Sequence, residues 1–176
     1  MDKTYADTVR LLLAVAPDVF ANDIFAMKGG TAINLFVRDM PRLSVDIDVV
    51  YLPWQTPRDE ALQAINQELA AIAMRVAPLG VQTRLVRAKD LGDTKLIVEN
   101  DASQVKIEVN VVFRGSVLPV ERRALSARTS DLFGVEFELP VLAPDELYAS
   151  KLVAALDRQH PRDLFDVWQL FESGDI

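Results

Sequence analysis

Met27-Lys28-Gly29-Gly30-Thr31-Ala32-Ile33-Asn34-Leu35-Phe36, followed after a short link by Arg42-Leu43-Ser44-Val45-Asp46-Ile47-Asp48-Val49-Val50-Tyr51, is the stretch on which the fold turns. Its second half has the β-branched and aromatic content of a strand, and period-two geometry then places Asp46 and Asp48 side by side on one face. Two carboxylates so placed repel each other unless a cation lies between them. A hard divalent ion such as Mg²⁺ takes oxygen ligands from one or two carboxylates and from substrate phosphates, so an Asp-x-Asp strand suits a phosphoryl-transfer metal site. Gly29 and Gly30 supply the complementary half, because glycines let a backbone approach a phosphate and a helix opening at Thr31 would aim free N–H groups at it. Taken singly, a Gly-Gly pair is more often a plain tight turn and an acidic strand a solvated sheet face. Their order brings a phosphate cradle and metal ligands together.

Upstream of this stretch, Val9, Leu12, Leu13 and Ala16 recur at helical spacing and predict a helix over residues 4–20, ended or kinked by Pro17; Ile24 to Met27 reads as a first core strand. A helix over 31–38 buries Ala32, Leu35 and Phe36, and Pro41 turns the chain into the acidic strand. Downstream, Thr56-Pro57 opens a helix with Thr56 at the N-cap and proline at the first position, carrying Leu62, Ile65, Leu69, Ile72 and Val76 as a core stripe. From Val81 the period becomes two. Residues 81–86 form one expected strand, and 95–99 with 105–113 form a hairpin around Asn100-Asp101-Ala102-Ser103. Val105, Ile107, Val109, Val111 and Phe113 share its buried face, leaving Lys106, Glu108 and Asn110 on the other. If that strand lies beside the acidic one, Glu108 is a third carboxylate of the metal site.

Residues 118–130 are expected to be irregular or weakly helical and hold the densest basic cluster, Arg122, Arg123 and Arg128; residues 134–141 suggest an edge strand. Two helices close the chain. The first begins at Ala143-Pro144-Asp145-Glu146, with Lys151, Ala155 and Arg158 on one face and Leu147, Leu152, Val153 and Leu156 as its apolar side. After His160-Pro161 the second carries Asp163 as a dipole or capping residue and Arg162 with Asp166 as a helical ion pair. The single histidine sits at the turn between them, a poor place for a general base.

Bulk properties narrow the field. With 176 residues, half of them apolar, one sizeable core is expected, hence a single domain over residues 1–176. A formal charge of −7 argues against gripping nucleic acid over the whole surface, so any RNA contact should be a small basic patch. The absence of cysteine excludes disulfides, thiolate zinc sites and a cysteine nucleophile. No run is long enough to span a bilayer, and a soluble, cytoplasmic protein is expected.

In the arrangement Gly-Gly-Thr-Ala then Arg-x-Ser-x-Asp-Ile-Asp, with Glu146-x₄-Lys151-Leu152 and Arg162-Asp163-Leu164-Phe165-Asp166 following, the sequence resembles the AbiEii/AbiGii nucleotidyltransferase toxin family from about residue 24 to 170. The resemblance implies an α/β (α+β) fold: a polymerase-β-like nucleotidyltransferase core, a mixed sheet flanked by helices, with C-terminal helices from about residue 144. Carried over residue by residue, it makes Gly29, Gly30 and Thr31 the triphosphate turn, Asp46 and Asp48 the metal pair, and Glu108 the third acid, as general base or metal ligand. Lys151 becomes a lysine near the triphosphate, Asp166 a functionally required acid, and Arg42 and Ser44 orienting positions, Ser44 beside the nucleotide. Longer relatives continue into a helical C-terminal region, so this chain is expected to be either a compact member or a shortened one.

The leading expectation is therefore a Mg²⁺- or Mn²⁺-dependent enzyme that moves a nucleoside monophosphate from a nucleoside triphosphate to an acceptor hydroxyl. By resemblance it is the toxin of a toxin–antitoxin or abortive-infection pair, acting on an RNA end such as the tRNA acceptor stem, with a cognate antitoxin. Arg122, Arg123, Arg128 and Arg158 are the expected RNA contacts. Two alternatives stand beside it: a regulatory nucleotide-binding module without transfer activity, and nucleotidylation of a protein hydroxyl. Three mutually repelling carboxylates argue against the first, because a site freed from catalysis has no reason to keep them.

Overall fold

The computed structural model describes residues 3–88 and 92–173; residues 1–2, 89–91 and 174–176 of the expected 1–176 domain lie outside the described residues. Among those described, the helices are α1 (Lys3–Val19), α2 (Gly29–Ala32, running on as a π-helical turn Ile33–Val37), α3 (Arg58–Val76), α4 (Ala127–Phe133), α5 (Pro144–Arg158) and α6 (Pro161–Ser173). The strands are β1 (Phe25–Lys28), β2 (Ile47–Tyr51), β3 (Gln82–Ala88), β4 (Gly92–Glu99), β5 (Gln104–Asn110), β6 (Glu121–Ala124) and β7 (Glu138–Val141). They join in one mixed sheet of order β3-β4-β5-β2-β1-β7-β6. The pairs β2–β5 and β1–β7 are parallel and the others antiparallel.

One face of this sheet is dry. Val9, Leu12, Leu13 and Ala16 of α1 and Ile65, Leu69, Ile72 and Val76 of α3 are all buried, as their helical spacing predicts. They belong to one cluster with Leu96, Val98, Val105, Ile107 and Val109. Full burial of each Leu or Ile contributes about 1.5–3 kcal/mol, so these stripes hold the layers together. They also set the register. Ile47 and Ile107 are opposite each other and have no exposed surface; a one-residue slip would expose both and turn the acids that follow them into the core. Apolar burial on one face thus fixes Asp48 beside Glu108 on the other.

Several boundaries differ from the sequence expectation. The helix after β1 starts at Gly29, two residues early, and Lys28 rather than a side-chain cap precedes it. β2 begins only at Ile47, so Arg42 to Asp46 is a non-strand link and Asp46 stands just outside the strand. At α3, Pro57 takes the N-cap position and Thr56 makes no capping bond. Residues 118–130 contain β6 and the start of α4, and β6 rather than β7 is the sheet edge. β5 stops at Asn110, whose side chain accepts from the backbone N–H groups of Val112 and Phe113. That turn leaves Phe113 70% exposed instead of in the core. On α5, Leu147 is buried together with Lys151 and Ala155, while Leu152, Val153 and Leu156 face out, because the charged groups of α6 claim the inner side. No described helix is long and apolar enough to cross a membrane.

Candidate active site

Four adjacent strands bring four charged residues into one row on the sheet face away from α1 and α3. Lys28 on β1 is opposite Asp48 on β2, Asp48 is opposite Glu108 on β5, and Glu108 is opposite Lys95 on β4. Directly paired residues project to the same face, so the row runs cation, acid, acid, cation across about 14 Å of sheet. Glu108 and Lys95 form an ion pair, their side chains 35% and 47% exposed. Lys28 and Asp48 are half-buried, so the row opens toward β4.

The glycine turn presses on this row. Gly29 has φ +78°, a left-handed conformation that side chains disfavour, and a Cβ there would land on Asp48 Oδ2. A Cβ on Gly30 would come within 2.5 Å of Arg42 Nη2 and 2.9 Å of Ser44 Oγ. Each glycine is therefore required by a close approach of named side chains. The link that follows is tied back to the turn. Buried Thr31 donates from Oγ1 to the Asp46 carbonyl at 2.5 Å and shares a 3.0 Å hydrogen bond with the Ser44 hydroxyl. Asn34 donates to the Gly30 carbonyl at 2.7 Å and accepts from the Arg42 N–H at 3.2 Å.

Behind the turn lies a buried ionic network. Arg42 grips Asp166 with two bonds, Nε to Oδ1 at 2.6 Å and Nη2 to Oδ2 at 2.5 Å. Lys151 Nζ lies 2.8 Å from Asp163 Oδ1 and 3.1 Å from Asp166 Oδ2. Arg158 completes it with bonds of 2.6 and 3.1 Å to Asp163. Both aspartates are nearly fully buried, three residues apart on the inner side of α6. Asp166 thus pairs with a residue far along the chain and not with Arg162, and Asp163 is a receptor for two cations and not a cap.

Electrostatics single out Asp48. Burial chiefly, then the charges of Glu108 and Asp46, push its carboxyl up to about 6, while Lys151 and Lys28 pull the other way. Burial lowers the Lys28 ammonium, opposed by the charges of Asp48 and Glu146. Burial works against the Asp163 charge too, but hydrogen bonds from Arg158 and Lys151 prevail and hold it near 2.

A divalent cation fits the donor chemistry here: Asp48 is held against repelling Glu108 and Asp46 charges that such an ion would relieve. Among the described residues no three acidic or histidine side chains converge into a metal cage. The set therefore suits an ion that draws its remaining ligands from phosphates and water.

Of the sequence-expected residues, Gly29, Gly30, Thr31, Ser44, Asp46, Asp48 and Glu108 surround one row, and Lys151 is close enough for its charge to act on Asp48. Asp166 lies behind them, reached through Arg42 and Lys151. The four arginines do not form one patch. Arg122 and Arg123 are on β6 with Glu138 and Glu121 as partners, Arg128 on α4 bonds Asp39, and Arg158 is held by Asp163. Sequence reasoning missed Lys28 and Lys95. The signal for Lys28 was its place immediately before Gly-Gly; for Lys95 it was the hairpin register opposite Glu108.

The sequence matches the family described as nucleotidyl transferase AbiEii toxin, Type IV TA system, over residues 10–176, and the chain belongs to that family. Among solved structures, the fold is similar to MenT4, nucleotidyltransferase toxin Rv2826c from Mycobacterium tuberculosis H37Rv, with a TM-score of 0.63 and 23% identity. That match covers 94% of this chain and 59% of MenT4, so the chain spans about three fifths of its neighbour's length. No curated protein matches the chain.

Proposed function

We propose that this AbiEii-family chain transfers a nucleoside monophosphate from a nucleoside triphosphate to an acceptor hydroxyl, releasing pyrophosphate, as the toxin of a toxin–antitoxin pair. The acceptor we infer is an RNA end such as a tRNA acceptor stem, and the cognate antitoxin is its regulator. The observation that carries the reading is the register that sets Asp48 beside Glu108 with the Gly29 backbone packed directly against Asp48.

In this reading the triphosphate lies along the Gly29-Gly30 turn, whose missing side chains let Asp48 and Arg42 close against the backbone. Lys151, held by Asp163 and Asp166, keeps its ammonium oriented toward the β- and γ-phosphates. Asp166 and Arg42 are positioning residues that brace Lys151 and the turn. Asp46 and Asp48 would hold Mg²⁺ or Mn²⁺, which when bound neutralises phosphate charge and polarises the reacting phosphorus. Glu108 receives the proton of the acceptor hydroxyl as its oxygen bonds to the α-phosphorus and the bond to the pyrophosphate oxygen breaks. Positioning and charge neutralisation are most of what phosphoryl transfer asks of a protein.

The test is transfer of label from each α-³²P nucleoside triphosphate, with Mg²⁺, into total RNA and total cell protein, comparing wild type with Asp48→Ala. Label in RNA with wild type only is the expected result. Label confined to protein would make the chain a protein nucleotidylation enzyme. Nucleotide binding with no transfer to either would make it a binding module.

A further inference from the structure

The open face of β3, β4 and β5 carries a second feature that the candidate site does not use. Register places Arg84 of β3 opposite Ile97 of β4, and Ile97 opposite Lys106 of β5, so Arg84, Ile97 and Lys106 form a row next to Val86-Lys95-Glu108. All six side chains share the face of Asp48, because the opposite face of this wing holds buried Leu96, Val98, Val105 and Ile107. The helices that touch these strands, α1 and α3, carry the apolar stripes that meet that dry face. Arg84 and Lys106 are exposed and make no ion pair with any described residue. Ile97 between them is only 8% exposed, as expected where the aliphatic stems of two long cations lie over it.

We propose that this wing is the acceptor platform: Arg84, Lys95 and Lys106 hold the phosphate backbone of a single-stranded RNA end, whose terminal hydroxyl reaches Glu108 and Asp48. The proposal rests on the transferase reading and locates its acceptor. Three observations select this surface over the arginines of β6, α4 and α5. The charge row opens toward β4, with exposure rising from Glu108 to Lys95, so an acceptor reaches the carboxylates from this side. Lys106 and Lys95 lie one and two strands from Asp48, with Arg84 on the third strand, whereas on the other side the first arginines, those of β6, are three strands away. And Arg84 and Lys106 form no ion pair among the described residues, while Arg122, Arg123 and Arg158 each do. Among the described side chains, the acids on the wing face are Glu108, paired with Lys95, and Glu99, beside Gln104. A flat three-cation surface of this kind suits a backbone contact without base reading, compatible with a chain whose net charge is −7.

The experiment measures affinity for a fluorescein-labelled single-stranded RNA, with no nucleotide present, as a function of salt. For single strands the logarithmic salt slope is about 0.7 per phosphate contact. Arg84→Gln with Lys106→Gln should lower the slope by about 1.4, so that between 50 and 200 mM salt the variant loses about sevenfold less affinity than wild type. Arg122→Gln with Arg123→Gln should leave the slope unchanged. Both pairs are surface changes, and thermal unfolding confirms that each variant is folded. An unchanged slope in the Arg84/Lys106 pair, or a reduced slope in the Arg122/Arg123 pair, overturns the platform while leaving the transferase reading intact. Failure of wild type to label RNA in the transfer assay overturns the RNA-end reading instead, whatever the slope.

Discussion

Asp48→Asn should make the protein more stable at neutral pH, although it removes a residue at the centre of the site. The folded protein holds the Asp48 carboxyl at about 6 against an ordinary value of 3.8, so ionising it costs more in the folded chain than in the unfolded one. Because the folded value is the higher, the penalty is absent below about pH 4, grows as pH rises and is complete above 6. That difference corresponds to about 3 kcal/mol, an upper figure because nearby solvent screens the charge. Asparagine carries no charge and so removes the penalty. For a chain of this length each kcal/mol moves the melting temperature by about 2–4 °C, which gives a rise of up to about 6–12 °C at pH 7. The gain should shrink through pH 6 and vanish near pH 4. Thermal unfolding from pH 4 to 7.5 reads this directly, with and without Mg²⁺, which should stabilise wild type and act less on the variant. A variant less stable than wild type at pH 7, or a gain independent of pH, would refute the view that Asp48 is held in place against its own charge.

Other perturbations probe the remaining parts. Gly29→Ala should lose nucleotide binding and stability together, since the left-handed backbone costs about 1–2 kcal/mol and the new methyl displaces Asp48; calorimetry with a non-hydrolysable triphosphate checks it. Asp166→Asn leaves Arg42 and Lys151 short of a buried partner and should cost about 3–5 kcal/mol in urea unfolding, with Asn failing to replace the two-bond grip. Asp163, held near 2, contributes stability that is present above about pH 4 and lost as pH falls toward 2. Asp163→Asn should therefore flatten the acid limb of the stability curve between those values. Lys28→Met should strengthen the mutual repulsion around Asp48 and raise its titration midpoint, observable in the carboxyl resonances of labelled aspartate.

How much of this was legible beforehand divides by the range of the interactions. The glycine turn and Glu108 beside Asp48 were readable because period-two alternation and the one-face rule act within a few residues, though Asp46 lies outside the strand that alternation gave it, and the dry stripes of α1 and α3 declared their packing through helical spacing. Boundaries failed where a long-range contact replaced a local signal. The helix after β1 begins early because the Gly29 backbone packs on Asp48, and β2 begins late because Thr31 binds the Asp46 carbonyl and holds the link out of the ladder. Phe113 left the expected core because the Asn110 side chain captured two backbone N–H groups and turned the strand away.

The α6 acids show why the rest stayed hidden. Asp163 and Asp166 sit where local rules predict a dipole-favoured first turn and an ion pair with Arg162, and nothing nearby in the sequence opposes that reading. Their actual partners, Arg42, Lys151 and Arg158, come from the link and from α5. An acid on a helix can be buried only if enough cations are gathered around it, since removing an unpaired carboxylate from water costs several kcal/mol. Two buried acids on α6 therefore demand inward-facing cations on its neighbours. That demand explains why α5 turns Lys151 inward and Leu152, Val153 and Leu156 outward, against the ordinary hydrophobic pattern. The inverted helix is the consequence of fixing one ammonium group beside the glycine turn, and it would relax to a Leu-inward packing only if Asp163 and Asp166 lost their charge together.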